Sequence, residues 1–206
     1  MPGDPGGALA TADAFRVLSH PFIQKIAGRN NASEIALQDI GGMIASATSL
    51  TLALELYLKA LCLITRRSIQ QEHNLWVLYR SLRDDVRRSL EAMYDGAVST
   101  PDGQTIELDV VVSLTPDEPI PPDRRTAPKD RSLPSTLKKS ADAFSTWRYL
   151  YGAAGPNQPA RISFDFHCLG VASDVVRTHA VAILEGAERM RAEGTDSFTI
   201  TWTKRT

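Results

Sequence analysis

The feature that most constrains the fold is a long apolar segment at residues 49–67, SLTLALELYLKALCLITRR. Placed on a helix, its apolar side chains cover roughly two thirds of the circumference, and the polar stripe that remains is narrow. A helix that is apolar on so many sides must be surrounded by other elements. The segment therefore predicts the central helix of a bundle, beginning near Met43. Because it is short and contains Glu55 and Lys59, we expect no membrane span.

Periodic spacing of apolar residues predicts further helices on both sides of this segment. They cover residues 8–18, 74–93, a stretch from Ser132 or Ser135 to Gly152, and 163–192. Asn74 is a favourable N-cap for the second of them. These segments predict an all-α fold of four to five helices.

The N-terminal third contains several expected helix breaks. Residues 1–7 are rich in Gly and Pro and are predicted to be disordered. Phe15, Val17 and Leu18 are the predicted anchors of the first helix, and His20-Pro21 is expected to end it. Gly41-Gly42 is predicted to break or kink the chain. Residues 8–206 are then interpreted as a single helical domain.

Residues 95–134 form a proline-rich insertion in this domain. Seven prolines exclude a long helix there. Residues 105–114 alternate apolar and polar side chains as a strand does, and the only other such pattern is at 198–202. Because a strand needs a hydrogen-bonding partner, these two segments are predicted to pair into a small ribbon. The rest of the insertion, residues 117–131, is a loop rich in proline and charge.

Composition excludes little. A net charge of −1 gives no overall attraction to nucleic acid or acidic membranes, although a local patch can still bind. The first residues lack the basic and apolar regions of a secretory signal. Cys62 and Cys168 fall in predicted helices and are interpreted as packed, reduced thiols. We therefore expect a cytoplasmic location.

Three short motifs occur in a characteristic order. The first is ALELYLKAL at 53–61, the second is His73-Asn74-Leu75, and the third is FSTWRYLY at 144–151. In this order they resemble the HEPN (higher eukaryote and prokaryote nucleotide-binding) family, over residues 44–151 and the final helix. The resemblance implies a homodimeric bundle in a bacterial defence or toxin–antitoxin setting. It also implies binding to RNA, a nucleotide, or a partner protein such as a small nucleotidyltransferase.

The resemblance further implies two pairs of catalytic candidates. In nuclease members of the family, four to six residues separate an Arg from a His, and the pair cleaves RNA without metal. This chain has that spacing at Arg67 with His73 and at Arg161 with His167. The alternative interpretations are that His73 is a helix-start residue and His167 a packing residue. We expect a binding module first, with a ribonuclease and a protein–protein scaffold as alternatives.

Charged residues in the predicted core form another candidate site. Glu55 and Lys59 have the i,i+4 spacing of an intrahelical ion pair. Arg148 lies on the apolar stripe of its predicted helix, where a guanidinium needs a partner. We expect Glu55 to pair with Lys59 or Arg148, either as a structural pair or as part of a pocket for a nucleotide phosphate.

Two groups of basic residues are candidate contacts for nucleic acid or a partner protein. They are Arg80, Arg83 and Arg87 on the helix at 74–93, and Arg124, Arg125, Lys129 and Arg131 in the proline-rich loop. Acidic residues interleave with the helical arginines, which favours internal ion pairs instead. The sequence has no metal-ligand spacing and no glycine-rich phosphate loop, so we predict neither a metal nor a cofactor.

Overall fold

The computed structural model of the chain describes residues 4–27, 37–66, 71–99, 107–112, 130–143 and 160–193. Side chains are described for residues 4–20, 41–65, 71–99, 130–143 and 164–189. Within these ranges the elements are α1 (Pro5–Ala27), α2 (Leu37–Arg66), α3 (Leu75–Ser81), α4 (Asp84–Val98), β1 (Glu107–Val112), α5 (Leu133–Lys139), β2 (Ala160–Asp165) and α6 (Phe166–Glu193). The predicted all-α fold is confirmed.

Helix α2 is the central element. Leu54, Tyr57, Leu58 and Leu61 are fully buried, as the apolar pattern of the sequence predicts. Helices α1, α3 and α6 pack against α2, and α1 makes the most extensive contact with it. The central position of this helix follows from its apolar circumference, because each apolar side needs a neighbour to cover it.

Helix α2 is longer than predicted and begins at Leu37. The expected break at Gly41-Gly42 is wrong, since the helix continues through both residues. A glycine inside a helix costs only about 1 kcal/mol relative to alanine, and burial of Met43, Ala47 and Leu50 directly afterwards outweighs that cost. A Cβ atom at Gly41 would meet nothing within 4 Å, so close packing does not require a glycine there.

The length of α2 bears on the expectation that this helix is too short to span a membrane. By length and composition alone, Gly41–Thr65 is long and apolar enough to cross a membrane, because it contains an 18-residue window with a mean hydropathy of 1.6. The prediction that the helix is too short to span a membrane is therefore wrong. Of that window, 61% is buried inside the protein, which is the arrangement of a core helix.

Helix α1 differs from its prediction at both ends. It begins at Pro5, so residues 5–7 are helical, and it runs through His20-Pro21 to Ala27. Asp4 explains the start, because its side chain accepts a hydrogen bond from the Gly6 N–H at 3.0 Å and Pro5 takes the first helical position, where no N–H is needed.

The predicted anchors of α1 are also partly wrong. Val17 and Leu18 are 66% and 64% exposed, and only Phe15 of the three packs against the core. The side of α1 that faces α2 is built instead from Leu9 and Ala12, which are buried. These residues recur at helical spacing with Phe15, and that spacing places Val17 and Leu18 on another face.

The single helix predicted at 74–93 is two helices. Leu82 and Arg83 are extended, with ψ angles of 156° and 152°, and they separate α3 from α4. Asp84 and Asp85 occupy the first turn of α4, where carboxylates interact favourably with the helix dipole. The predicted cap of α3 is present, because the Asn74 side chain accepts a hydrogen bond from the Val77 N–H at 3.0 Å.

The predicted ribbon exists, and the strand that pairs with β1 within the described residues is β2. Strand β1 pairs antiparallel with β2, with Glu107 opposite Asp165 and Val112 opposite Ala160. Residues 198–202 lie outside the described residues. The last helix consequently begins at Phe166 instead of Ser163, and Asp165 caps it by accepting a hydrogen bond from the Cys168 N–H at 2.9 Å. An Asp three residues before Cys168 is the cap signal that the sequence interpretation missed.

The boundaries of the proline-rich insertion and of the next helix also change. Residues 95–98 belong to α4, and residues 133–134 belong to α5. Ser132 caps α5 by accepting a hydrogen bond from the Ser135 N–H at 3.4 Å. Helix α5 ends at Lys139, because Ser140 leaves the helical conformation with φ −102° and ψ 18°. The predicted helix is therefore interrupted after Lys139, and its residues 144–152 lie outside the described residues.

Candidate functional site around Glu55

The main polar site on α2 is centred on the carboxylate of Glu55. The Lys59 ammonium donates to Glu55 Oε1 at 2.7 Å, and His73 Nδ1 lies 3.0 Å from the same oxygen. Oε2 has no hydrogen-bond partner among the described residues, and the Glu55 side chain is only 2% exposed. We call Glu55, Lys59 and His73 the Glu55 site.

The site opens to solvent through its two nitrogen-bearing side chains. The Lys59 side chain is 15% exposed, and the His73 side chain is 67% exposed. Lys59 lies one turn after Glu55 on α2, whereas His73 comes from the segment that leads into α3. The site therefore joins a buried carboxylate to a surface imidazole across two elements.

The backbone that carries His73 is fixed by the preceding residue. Oε1 of Glu72 accepts hydrogen bonds from the N–H groups of His73 and Asn74, at 2.8 and 2.9 Å. These bonds, the one from Asn74 first, lower the pKa of Glu72 below the usual value of a glutamate. Glu72 was not predicted as a site residue from the sequence. Its position just before the N-cap Asn74 was the available signal, because unpaired N–H groups gather at the start of a helix.

A second contact holds the same segment against the residues that follow α5. The Asn74 side-chain amide donates to Asp142 Oδ1 at 2.9 Å, and the Leu75 N–H donates to the Ala141 carbonyl at 2.9 Å. Asp142 was not predicted either. The position of His73 thus depends on α2, on Glu72 and on the turn after α5.

The chemistry of the Glu55 site follows from this geometry. An ionised carboxylate can only accept hydrogen bonds, so the hydrogen in the bond between Glu55 and His73 belongs to Nδ1. The carboxylate then orients the imidazole, as in carboxylate–histidine pairs that bind anions or transfer protons. Across the described side chains, no three His, Cys, Asp or Glu residues come together as a metal site requires.

Arg80, Arg83 and Arg87, the predicted contact residues of α3 and the start of α4, each interact with a neighbouring group. Arg83 forms two hydrogen bonds to Asp85, at 3.0 and 2.9 Å, and Arg87 donates to Asp84 at 2.6 Å. The Arg80 guanidinium lies 5.9 Å from the centre of the Trp76 ring. The internal ion pairs suggested by the interleaved acids are therefore present. These pairs reduce the charge that this face offers to a phosphate chain.

The remaining predicted site residues are distributed as follows. Arg161 lies in β2, opposite Val111, instead of at the start of a helix, and its side chain is outside the described set. His167 is the second residue of α6 and is half-buried. Arg131 is exposed just before α5. Arg67, Arg124, Arg125, Lys129 and Arg148 lie outside the described residues.

A second carboxylate cluster joins three helices at Asp13 of α1. The Tyr57 hydroxyl donates to Asp13 Oδ1 at 2.5 Å, and Arg177 of α6 donates to both Asp13 oxygens at 2.6 and 2.9 Å. Hydrogen bonding from Arg177 is the main cause that lowers the pKa of Asp13. Arg16 and Asp174 form a neighbouring pair between α1 and α6 at 3.0 Å. None of these contacts was predicted from the sequence.

Comparisons with known proteins identify no relative. No protein-family model matches the chain, and neither a characterised protein nor a solved structure matches it. The HEPN resemblance of the three sequence motifs therefore stays a prediction.

Proposed function

We propose that this chain is a HEPN-like helical bundle that binds the phosphate group of RNA or of a nucleotide at the Glu55 site. One observation supports the proposal. A buried carboxylate holds an ammonium and an imidazole against the same oxygen, with each of the two nitrogens within 3.0 Å of it. The two donors are thereby held side by side near the surface before any ligand arrives.

Preorganisation is the physical reason why this arrangement suits a phosphate. Lys59 has three donor hydrogens and gives one to Glu55, so it can donate to a second anion without leaving the first. Holding a side chain in place before binding reduces the entropy lost on association. Arg83 and Arg87 offer less, because a phosphate would first have to displace Asp85 and Asp84.

The test is binding of a short fluorescent oligouridylate at low salt. His73→Ala removes an exposed side chain and is expected to weaken binding about tenfold, the effect of one hydrogen bond to a charged group. His20→Ala, also an exposed histidine, is the matched control on α1 and should leave the affinity unchanged. Arg83→Gln should have a smaller effect than His73→Ala, because Arg83 already pairs with Asp85.

Two results would contradict this proposal. Equal binding by wild type and His73→Ala would place the contact elsewhere, and no binding at low salt would favour the protein–protein scaffold. Binding that involves phosphate contacts should also fall as salt rises, because each neutralised phosphate releases counterions.

Metal-independent RNA cleavage is the second candidate function, and the bond between Glu55 and His73 favours it. A general acid or base needs an exposed imidazole held in one orientation, and His73 is 67% exposed with Nδ1 bonded to a buried carboxylate. Incubation with RNA in EDTA tests this function. Cleavage abolished by His73→Ala but retained by His167→Ala would support it, and cleavage unaffected by both would indicate a contaminating nuclease.

The proposed setting is a bacterial defence or toxin–antitoxin system in the cytoplasm, with the protein acting as a homodimer. The HEPN resemblance supports the setting and the dimer, and the interpretation of Cys62 and Cys168 as packed, reduced thiols supports the location. Light scattering tests the dimer directly, because a single chain has a mass of 22.5 kDa. A monomer mass across the concentration range of the binding assay would contradict the dimer and leave the binding proposal intact.

A further inference from the structure

We infer that Glu72 is a positioning residue, which holds His73 in the orientation that ligand binding at the Glu55 site requires. This inference rests on the proposed function. Glu72 Oε1 accepts the N–H groups of both His73 and Asn74, so one oxygen fixes two consecutive peptide units. The same residues are fixed on the other side, where His73 bonds Glu55 and Asn74 bonds Asp142.

The backbone bonds matter because His73 lies outside any helix. Residues 71–74 have no regular secondary structure, and α3 begins only at Leu75. A residue in such a segment keeps its orientation only if its backbone groups have fixed partners. Glu72 provides that partner for His73 itself, while the Asn74 side chain caps α3 through the Val77 N–H.

The negative charge of Glu72 allows a positioning role to be distinguished from a purely electrostatic role. A carboxylate next to a phosphate site repels the ligand, so removing a merely neighbouring charge would strengthen binding. Removing a positioning residue would weaken binding instead. Two substitutions distinguish these roles. Glu72→Ala removes both the charge and the acceptor, whereas Glu72→Gln removes the charge and keeps an oxygen that accepts the two N–H groups.

The experiment measures the affinity of the oligouridylate for wild type, Glu72→Ala and Glu72→Gln. We expect Glu72→Ala to bind about tenfold more weakly and Glu72→Gln to bind at least as tightly as wild type. Unchanged or tighter binding by Glu72→Ala would overturn the inference, and so would Glu72→Gln binding as weakly as Glu72→Ala. Urea unfolding of all three proteins identifies any variant that has lost the fold, and Glu72→Gln keeps the test usable if Glu72→Ala has.

A second measurement requires no ligand. Nitrogen-15 spectra of labelled histidine report the hydrogen bond at Nδ1 of His73 in the free protein. We expect Glu72→Ala to shift that signal toward the value of a solvent-exposed imidazole and Glu72→Gln to preserve it. An unchanged signal in Glu72→Ala would overturn the inference. If wild type binds no oligouridylate, the proposed function fails, and this spectrum still decides whether Glu72 orients His73.

Discussion

Asp13 contacts the central helix from α1, and Glu55 belongs to that helix; the two carboxylates differ in burial and in how fully their oxygens are bonded. Asp13 is 39% exposed, and both of its oxygens accept hydrogen bonds from Arg177. Glu55 is 2% exposed, and one oxygen accepts both of its bonds while Oε2 has no partner among the described residues. Among the described residues, both oxygens of the exposed carboxylate have partners, and only one oxygen of the buried carboxylate does.

This difference distinguishes a structural contact from a candidate site. An exposed ion pair such as that of Asp13 with Arg177 contributes little to stability and needs no functional explanation. A buried carboxylate has a large desolvation cost, and folded proteins rarely keep one without partners or a function. We therefore interpret Asp13 as a link between α1 and α6, and Glu55 as the centre of the functional site.

The largest expected effect follows removal of the ammonium from Glu55. Lys59→Met leaves a carboxylate that is 2% exposed with only His73 as a described partner. Loss of one partner from a buried pair costs about 3–5 kcal/mol of the free energy of unfolding, which urea denaturation measures. A loss below about 1 kcal/mol would mean that water reaches Glu55 and would remove the contrast with Asp13.

The double variant Glu55→Leu with Lys59→Met is the control. Replacing both partners with apolar side chains of similar size leaves no buried charge, so most of the lost stability should return. A double variant as unstable as Lys59→Met would indicate that the packing around Lys59, and not the charge of Glu55, determines the loss.

The next largest effect is expected from an apolar residue of the same helix. Leu61 is fully buried in α2, and Leu61→Ala should lower the free energy of unfolding by about 2–5 kcal/mol through lost contacts and a cavity. This loss comes from packing and should not depend on salt. A loss below about 1 kcal/mol would contradict the central position of α2.

A smaller effect is expected at Asp13. Arg177 and Asp13 are 45% and 39% exposed, so Arg177→Gln should lower the free energy of unfolding by no more than about 1 kcal/mol. Arg189→Gln, at an exposed position of α6, is the matched control and should have no measurable effect. A loss from Arg177→Gln as large as that from Lys59→Met would contradict the distinction between the two carboxylates.

The smallest expected effect is a change with pH in the stability that Arg177 and Asp13 contribute. Because Arg177 lowers the pKa of folded Asp13, the stabilisation is present above the pKa of an unfolded aspartate, about 4, and is lost as pH falls through the lower folded value. The difference in unfolding free energy between wild type and Arg177→Gln should therefore stay constant down to about pH 4 and shrink below it. A difference that grows toward acid pH would assign the effect to another group.

Features that depend on residues close together in the sequence were predictable from it. The buried face of α2 follows from apolar periodicity, the start of α3 follows from Asn74, and the pair of Glu55 with Lys59 follows from i,i+4 spacing. The ends of α1 and α2 were less predictable. A proline or glycine indicates only a local loss of helix stability. Packing along the whole helix decides whether that loss is outweighed.

The sequence by itself determined a helical bundle around α2 and a charged pair on that helix. Only the tertiary structure decided which distant residues meet that helix. His73 reaches Glu55 across 18 residues, Asp13 reaches Tyr57 across 44, and Arg177 reaches Asp13 across 164. The pairing of β1 with β2 was decided in the same way. Periodicity and caps report the conformation of adjacent residues, whereas these contacts depend on how whole elements pack, which no local pattern records.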